Sequence, residues 1–367
     1  MKLKSLFSIA IFFIASSQLS LAIAQNDAAL LAARAEREAN VNYPTRWWAD
    51  EISSKTDAWY RSDEGLQMAE NILSWQDDEG GWPLMNTTNE PFTGDTSRAG
   101  PWGMNGALIK ATVNEIRFLA RAYRATDDER FRTSLLRGLN FITSAQYPTG
   151  GWPHSVPPRM SDYSHYSTFN DDLMADVMTL LREVAEQEDF AVLDTADRQD
   201  AAASFQSGLE FILNTQIIVD GKRTAWAQQH DEITLEPRPA RPFEPVAISA
   251  GESAPVLALL MSIVEPSSDI RESIEAAVQW YRDVQIDGYR LIQTREDRVL
   301  ESDSEAPALW ARFYEIGTNR PIFAGRDGVV KYAMAEIEQE RRSGYAWYNR
   351  NGSRVFELYS QWPYSSQ

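Results

Sequence analysis

Three clusters of side chains in this sequence could do chemistry, and each also has a plain structural reading. Phe169-Asn170-Asp171-Asp172 stands directly before a helical pattern. Two carboxylates and an amide in a row offer oxygen ligands to calcium, which makes Asp171 and Asp172 the metal candidates. The same residues would also serve as a helix cap with an acidic first turn. The second cluster runs from Trp226 through Gln229, His230, Asp231 and Glu232 to Arg238, Arg241 and Glu244. Pro237, Pro239 and Pro242 stiffen it, so it is either a mount for a fixed guanidinium or a solvated loop. The third places Arg312, Arg320 and Arg326 among aromatic residues, in a stretch whose pattern starts helical and becomes a loop. Guanidiniums grip carboxylates through paired hydrogen bonds, as binding a polyuronate demands. They would also brace a loop.

Other chemistries lack their residues. The chain has no cysteine, which excludes disulfides, thiolate metal sites and a thiol nucleophile. His154, His165 and His230 are not spaced as metal ligands, which argues against zinc catalysis. No Gly-x-Ser-x-Gly elbow or phosphate loop occurs. The formal charge is -18, so a phosphate backbone finds no basic footprint, and nucleic acid is not an expected partner. An acidic ligand is also repelled at long range unless local arginines or a bound cation reverse the field. The twelve tryptophans suit sugar stacking and a large helical core equally.

Residues 1–24 read as a secretory signal. Lys2 and Lys4 open it, an apolar run from Leu6 to Ala15 is too short to span a bilayer, and Ala22-Ile23-Ala24 is a small-residue cleavage site before Gln25. Its removal leaves 33 basic and 53 acidic residues, a charge of -20. The expectation is a secreted or periplasmic monomer with no membrane insertion. Residues 25–50 read as a peripheral segment and residues 51–367 as one domain.

The elements that must position the clusters are visible in an internal repeat. Helical patterns end at Gln76, Gln146, Gln216 and Gln285, a spacing of 70, 70 and 69 residues. Gly80-Gly81-Trp82-Pro83 follows the first and Gly150-Gly151-Trp152-Pro153 the second, while Asp220-Gly221 and Asp287-Gly288 follow the others. Paired helical patterns lie between, such as Val113 to Arg124 followed by the helix that Asp127-Asp128-Glu129 opens. Strand-like alternation is scarce. A two-helix unit cannot bury its own apolar face, so the units must stack into a solenoid or a closed toroid. The glycine-tryptophan loops, leaving equivalent helix ends, should then gather on one rim.

These segments together resemble the family 10 pectate lyases. The matching segments are Gln146-Tyr-Pro-Thr-Gly-Gly-Trp-Pro153, Thr168-Phe-Asn-Asp-Asp172, Gln229-His-Asp-Glu232 and Gly251-Glu-Ser253. The longest runs from Ala311-Arg-Phe-Tyr-Glu-Ile-Gly-Thr-Asn-Arg-Pro-Ile-Phe323 through Gly325-Arg-Asp-Gly328. The resemblance spans roughly Glu51 to Tyr348. It implies an all-α fold, the (α/α)3 toroid, and calcium-dependent cleavage of polygalacturonate by β-elimination. It assigns Arg241 as the base, Arg312 and Arg326 to substrate carboxylates with Arg320 beside them, and Asp171 to the calcium or substrate site.

The match departs from the family at the Asp-Asn-Gly-Ala-Thr motif. A gapless alignment sets Leu108 and Ile109 at the Asp-Asn pair. A four-residue insertion instead sets Met104 at the aspartate, before Asn105-Gly106-Ala107. Leu84-Met85 also replaces a Lys-Asn pair, and His165 sits one residue further than expected from Phe-Asn-Asp. A calcium site short of one carboxylate binds more weakly. Asp95 and Asp162 are the candidates to replace it. The expectation is a lyase acting on acidic polysaccharide. The alternative is a catalytically degenerate chain of the same fold that binds the polymer without cutting it.

Overall fold

The computed structural model describes residues 48–83, 87–95, 107–294 and 297–365. The expected signal, most of the 25–50 segment, and the departures at Leu84-Met85 and Met104 to Gly106 lie outside the described residues. The helices are α1 Asp57–Tyr60, α2 Asp63–Trp75, α3 Ile109–Thr126, α4 Glu129–Ser144, α5 Leu173–Glu186, α6 Thr195–Thr215, α7 Ala250–Met261, α8 Ser268–Asp283, α9 Gln339–Gly344 and α10 Asn351–Gln361. Their starts follow local chemistry. Ser62, Asp128 and Ser267 accept hydrogen bonds from the first free amides of α2, α4 and α8.

Two rows of helices result. The inner row is α3, α5 and α7, each touching the next. The outer helices α4, α6 and α8 pack on α3, α5 and α7 in turn. Helix α7 buries nearly every side chain from Ala250 to Met261, as a helix apolar all round must. The outer helix α8 instead buries one stripe that includes Ile270, Ile274, Ala277 and Tyr281.

The repeated glutamines are the staples between units. Gln76 Nε2 donates to Gly80 O in its own loop at 2.8 Å and to Ser134 O of the next outer helix at 2.9 Å. Gln146 repeats this with Gly150 O and Ser204 O, both at 2.9 Å. Gln216 repeats it with Thr224 O and Ser273 O at 2.9 and 3.0 Å. Gln285 has no further unit to join and turns to Asp287.

The tryptophans repeat as well, and they point inward. Trp82, Trp152, Trp226 and Trp310 donate their indole N–H to the carbonyls of Ile72, Ile142, Ile212 and Tyr281 at 2.7–2.9 Å. Each acceptor lies four residues before a repeat glutamine. All four rings are at most 1% exposed. A Cβ on Gly138 would come within 2.8 Å of the Trp82 ring, and one on Gly352 within 2.1 Å of Trp310. These four tryptophans belong to the core and not to a sugar platform, which decides for them between the two uses that the composition left open.

The expected all-α (α/α)3 toroid is also corrected. About 48% of the described residues are helical and 13% lie in strands, in several small antiparallel sheets, a mixed α/β fold. One sheet orders four strands as Val330–Lys331, Pro321–Ala324, Phe313–Tyr314 and Ile248–Ser249. Another orders Ser167–Thr168, Gln229–His230 and Pro237–Arg238. Most of these strands are two residues long, too short for an alternating pattern to be legible. The stretch from Trp310, which reads as starting helical, is strand at Trp310–Ala311 and Phe313–Tyr314. A second apolar cluster of Phe243, Phe313, Ile322, Phe323 and Trp347 sits under these sheets, apart from the main helical core.

Candidate active site

The short strands bring the candidate residues together. Ser167–Thr168 pairs with Gln229–His230, and Phe169 N donates to Gln228 O at 2.9 Å. The chain then turns sharply at Asn170–Asp172 before α5. Asp171 and Asp172 both take the left-handed conformation, with φ of 53° and 66°. Aspartate tolerates that region better than most residues, and consecutive cases mark a backbone held by its surroundings. Asn170 is the buried anchor of this turn. Its side-chain amide donates to Asp171 Oδ2 at 2.7 Å, and its Oδ1 accepts from Gln228 Nε2 at 2.5 Å.

Arg312 arrives from the other sheet. Phe313 pairs with Ser249, and Ala250 N donates to Arg312 O at 3.0 Å, which places the first turn of α7 beside the guanidinium. Arg312 Nη2 donates to Glu252 Oε1 at 2.5 Å and reaches Asn170 Oδ1 at 3.4 Å. Ser249 Oγ donates to the other oxygen of Glu252. Among the described residues the Arg312 Nε–H has no hydrogen-bond partner. Burial works against the Arg312 charge, but Glu252, with Tyr345, Glu244 and Asp171 behind it, outweighs this and raises the pKa.

Arg241 meets the same ground from a third segment. Its Nε and Nη2 donate to Glu244 Oε2 and Oε1 at 2.7 and 2.5 Å. Glu244 also accepts from Tyr345 Oη at 2.6 Å and Gln228 Nε2 at 3.3 Å. The Tyr345 ring lies under both guanidiniums, 4.7 Å from Arg312 and 5.7 Å from Arg241. The Arg241 side chain is still 43% exposed, and its Glu244 hydrogen bonds outweigh the partial loss of solvent, so its pKa is raised. Arg241, Arg312 and the Asp171 turn therefore form one cluster, joined through Asn170, Gln228, Glu244 and Tyr345.

Arg320 and Arg326 are not in that cluster. Arg326 is exposed and pairs with exposed Glu340 at 2.9 Å. Arg320 lies over the Tyr332 ring at 3.7 Å, also at the surface. Arg326 is linked to that cluster only at one remove, because its partner Glu340 also pairs with Arg341, whose guanidinium lies 4.7 Å from the Phe243 ring that Arg241 meets at 4.9 Å. His230 is structural. Its Nδ1 faces Leu235 O at 2.9 Å, its Nε2 accepts from Ala227 N, and burial pushes its pKa down to about 4. Asp231 accepts from the amides of Thr234 and Ile233 and pairs with Arg238, so its acidity serves the turn.

Calcium was the expected cofactor. Carboxylate oxygens are the right donors for it. Asp171 and Asp172 fit on donor chemistry. Among the described residues, however, no group of three or more His, Cys, Asp or Glu side chains stands close enough to cage a metal. Asp162 and Asp171 both act on Tyr163, so the two carboxylates face one neighbourhood.

Sequence reading named the Asn170 amide with the acidic pair but missed Tyr345, Gln228 and Glu252 as parts of this site. Gln228 and Glu252 stand inside the Trp226–His230 and Gly251–Ser253 segments, next to residues with more reactive side chains. Tyr345 had only the aromatic run Tyr345-Ala-Trp347-Tyr348 to mark it.

The chain is 29% identical to a family 10 polysaccharide lyase from Cellvibrio cellulosa, an aspartate-to-alanine variant in complex with trigalacturonic acid. That likeness covers 84% of this chain and 95% of the other, with a TM-score of 0.73. A second structure of the Cellvibrio cellulosa lyase is 28% identical, covers 84% and 94% of the two chains, and has the same TM-score of 0.73. No curated protein matches the chain significantly. The family model for pectic acid lyase matches residues 76–356, from the first repeat glutamine into the last helix, and the chain therefore belongs to the pectic acid lyase family.

Proposed function

We propose that this chain cleaves polygalacturonate or a related polyuronate by β-elimination. In that reaction a base takes the C5 proton of a uronate, the C4–C5 double bond forms, the C4–O bond breaks, and the departing oxygen gains a proton. Arg312 is proposed to hold the uronate carboxylate, with its Nε–H still to be satisfied. Arg241 is proposed to act on the C5 hydrogen. Arg320 and Arg326, at the surface, are proposed to meet neighbouring sugar units of the polymer. The observation that carries the reading is the meeting of two guanidiniums from distant segments over one tyrosine ring, beside an acidic turn.

Calcium belongs to the same proposal. Asp171 and Asp172 would hold it, and when bound it neutralises a uronate carboxylate and makes the adjacent C5 hydrogen more acidic. Export also belongs here. Protein recovered from outside the cytoplasm should begin at Gln25.

The test is to incubate the protein with polygalacturonate and calcium and follow the ultraviolet absorbance of the unsaturated product. A growing signal that a chelator removes supports the reading. Polymer binding without signal would favour the degenerate binder.

A further inference from the structure

We propose that Glu244 is a positioning residue for this elimination, fixing the Arg241 guanidinium and setting the pH at which Arg241 can accept a proton. The inference rests on the reading that Arg241 meets the C5 hydrogen.

Glu244 is 1% exposed, so water cannot compensate its charge. Protein donors do so instead. Besides the two side-chain bonds from Arg241, it accepts from the Arg241 backbone N at 3.1 Å, from Tyr345 Oη and from Gln228 Nε2. Burial opposes its ionisation and Arg241 outweighs that, which keeps its pKa low. A guanidinium gripped at two points by a fixed anion has one orientation.

The other groups facing Arg241 do not replace this anion. They are the phenols of Tyr345 and Tyr163 and the ring of Phe243. Arg312 lies over the same Tyr345 ring and already has Glu252 as its partner. With Glu244 neutral, two guanidiniums would share one aromatic floor with one buried carboxylate between them. Each would lower the other's pKa.

The experiment compares pH–rate profiles of the native enzyme, Glu244→Gln and Glu244→Asp on polygalacturonate. The native rate should still be climbing at the top of the alkaline range, whereas the Glu244→Gln rise should be displaced toward lower pH and level off within that range, at a lower maximal rate. Glu244→Asp keeps the charge and should keep the native profile at reduced kcat. A Glu244→Gln profile that superimposes on the native one after scaling would overturn the proposal. Nitrogen NMR of native Arg241 tests it without turnover or a variant. Separate, slowly exchanging Nη signals are expected, and fully averaged signals would overturn it. A native enzyme that makes no product would sink the elimination reading, and the NMR result would still decide whether Glu244 fixes Arg241.

Discussion

The Arg241 guanidinium and the Glu244 carboxylate face each other through two hydrogen bonds, Nε to Oε2 at 2.7 Å and Nη2 to Oε1 at 2.5 Å. This pairing stabilises the protonated arginine, whose pKa is raised. A group in that state is a poor base near neutrality.

The first prediction concerns pH. The reactive form is the deprotonated one, and its fraction grows as pH rises toward a raised pKa. Product formation should therefore increase steadily through the alkaline range, without a neutral optimum. Initial rates across a buffer series check this. A maximum near neutrality would show that the proton acceptor is another group.

Arg312 supplies the second prediction. Its partner Glu252 is 1% exposed, and Arg312→Ala would leave that carboxylate buried with Ser249 Oγ as its remaining donor among the contacts above. Removing one partner of a buried pair costs about 3–5 kcal/mol. Urea denaturation should show a loss of that order, and KM should rise. Unchanged stability would mean that Glu252 takes up a proton or finds water instead.

The third prediction separates core from sugar platform. Trp152 is 0% exposed, and its indole is bonded to Ile142 O. Trp152→Ala should cost about 3–5 kcal/mol. Substrate affinity of the folded fraction should stay unchanged. Lost affinity without lost stability would restore the stacking role.

The repeat was legible because physics imposes it. Each of Gln76, Gln146 and Gln216 bonds the same two backbone carbonyls of its unit and the next, so glutamine recurs at a fixed spacing. The strands were not legible. A pair such as Phe313–Tyr314 exists because Ser249 and Ile322 flank it from distant segments, and two residues carry no period. The arginine-rich segments stood out by composition, yet nothing local separates Arg312, buried against Glu252, from Arg326, exposed against Glu340. Tyr345 joins the site only through tertiary contacts with Glu244 and Arg312.

Glu115 gives the fourth prediction. Burial pushes its carboxyl up to about 8 from 4.5, with Thr87 Oγ1 donating to one oxygen and the other without a partner among the described residues. Below the unfolded pKa both states are protonated and no penalty exists. Between 4.5 and about 8 the folded state holds a proton that the unfolded state releases, so stability falls as pH rises. Glu115→Gln should raise the thermal midpoint above that window and leave it nearly unchanged below. An equal effect at both ends would mean that the carboxyl does not titrate there.

The most direct test of the account is the initial rate of unsaturated product from polygalacturonate for the native protein and for Arg241→Ala, with both shown to be folded. Loss of a proton-transferring group costs about 10²–10⁴-fold. The account predicts product from the native protein and a fall of at least that lower size in the variant. Equal rates would contradict it.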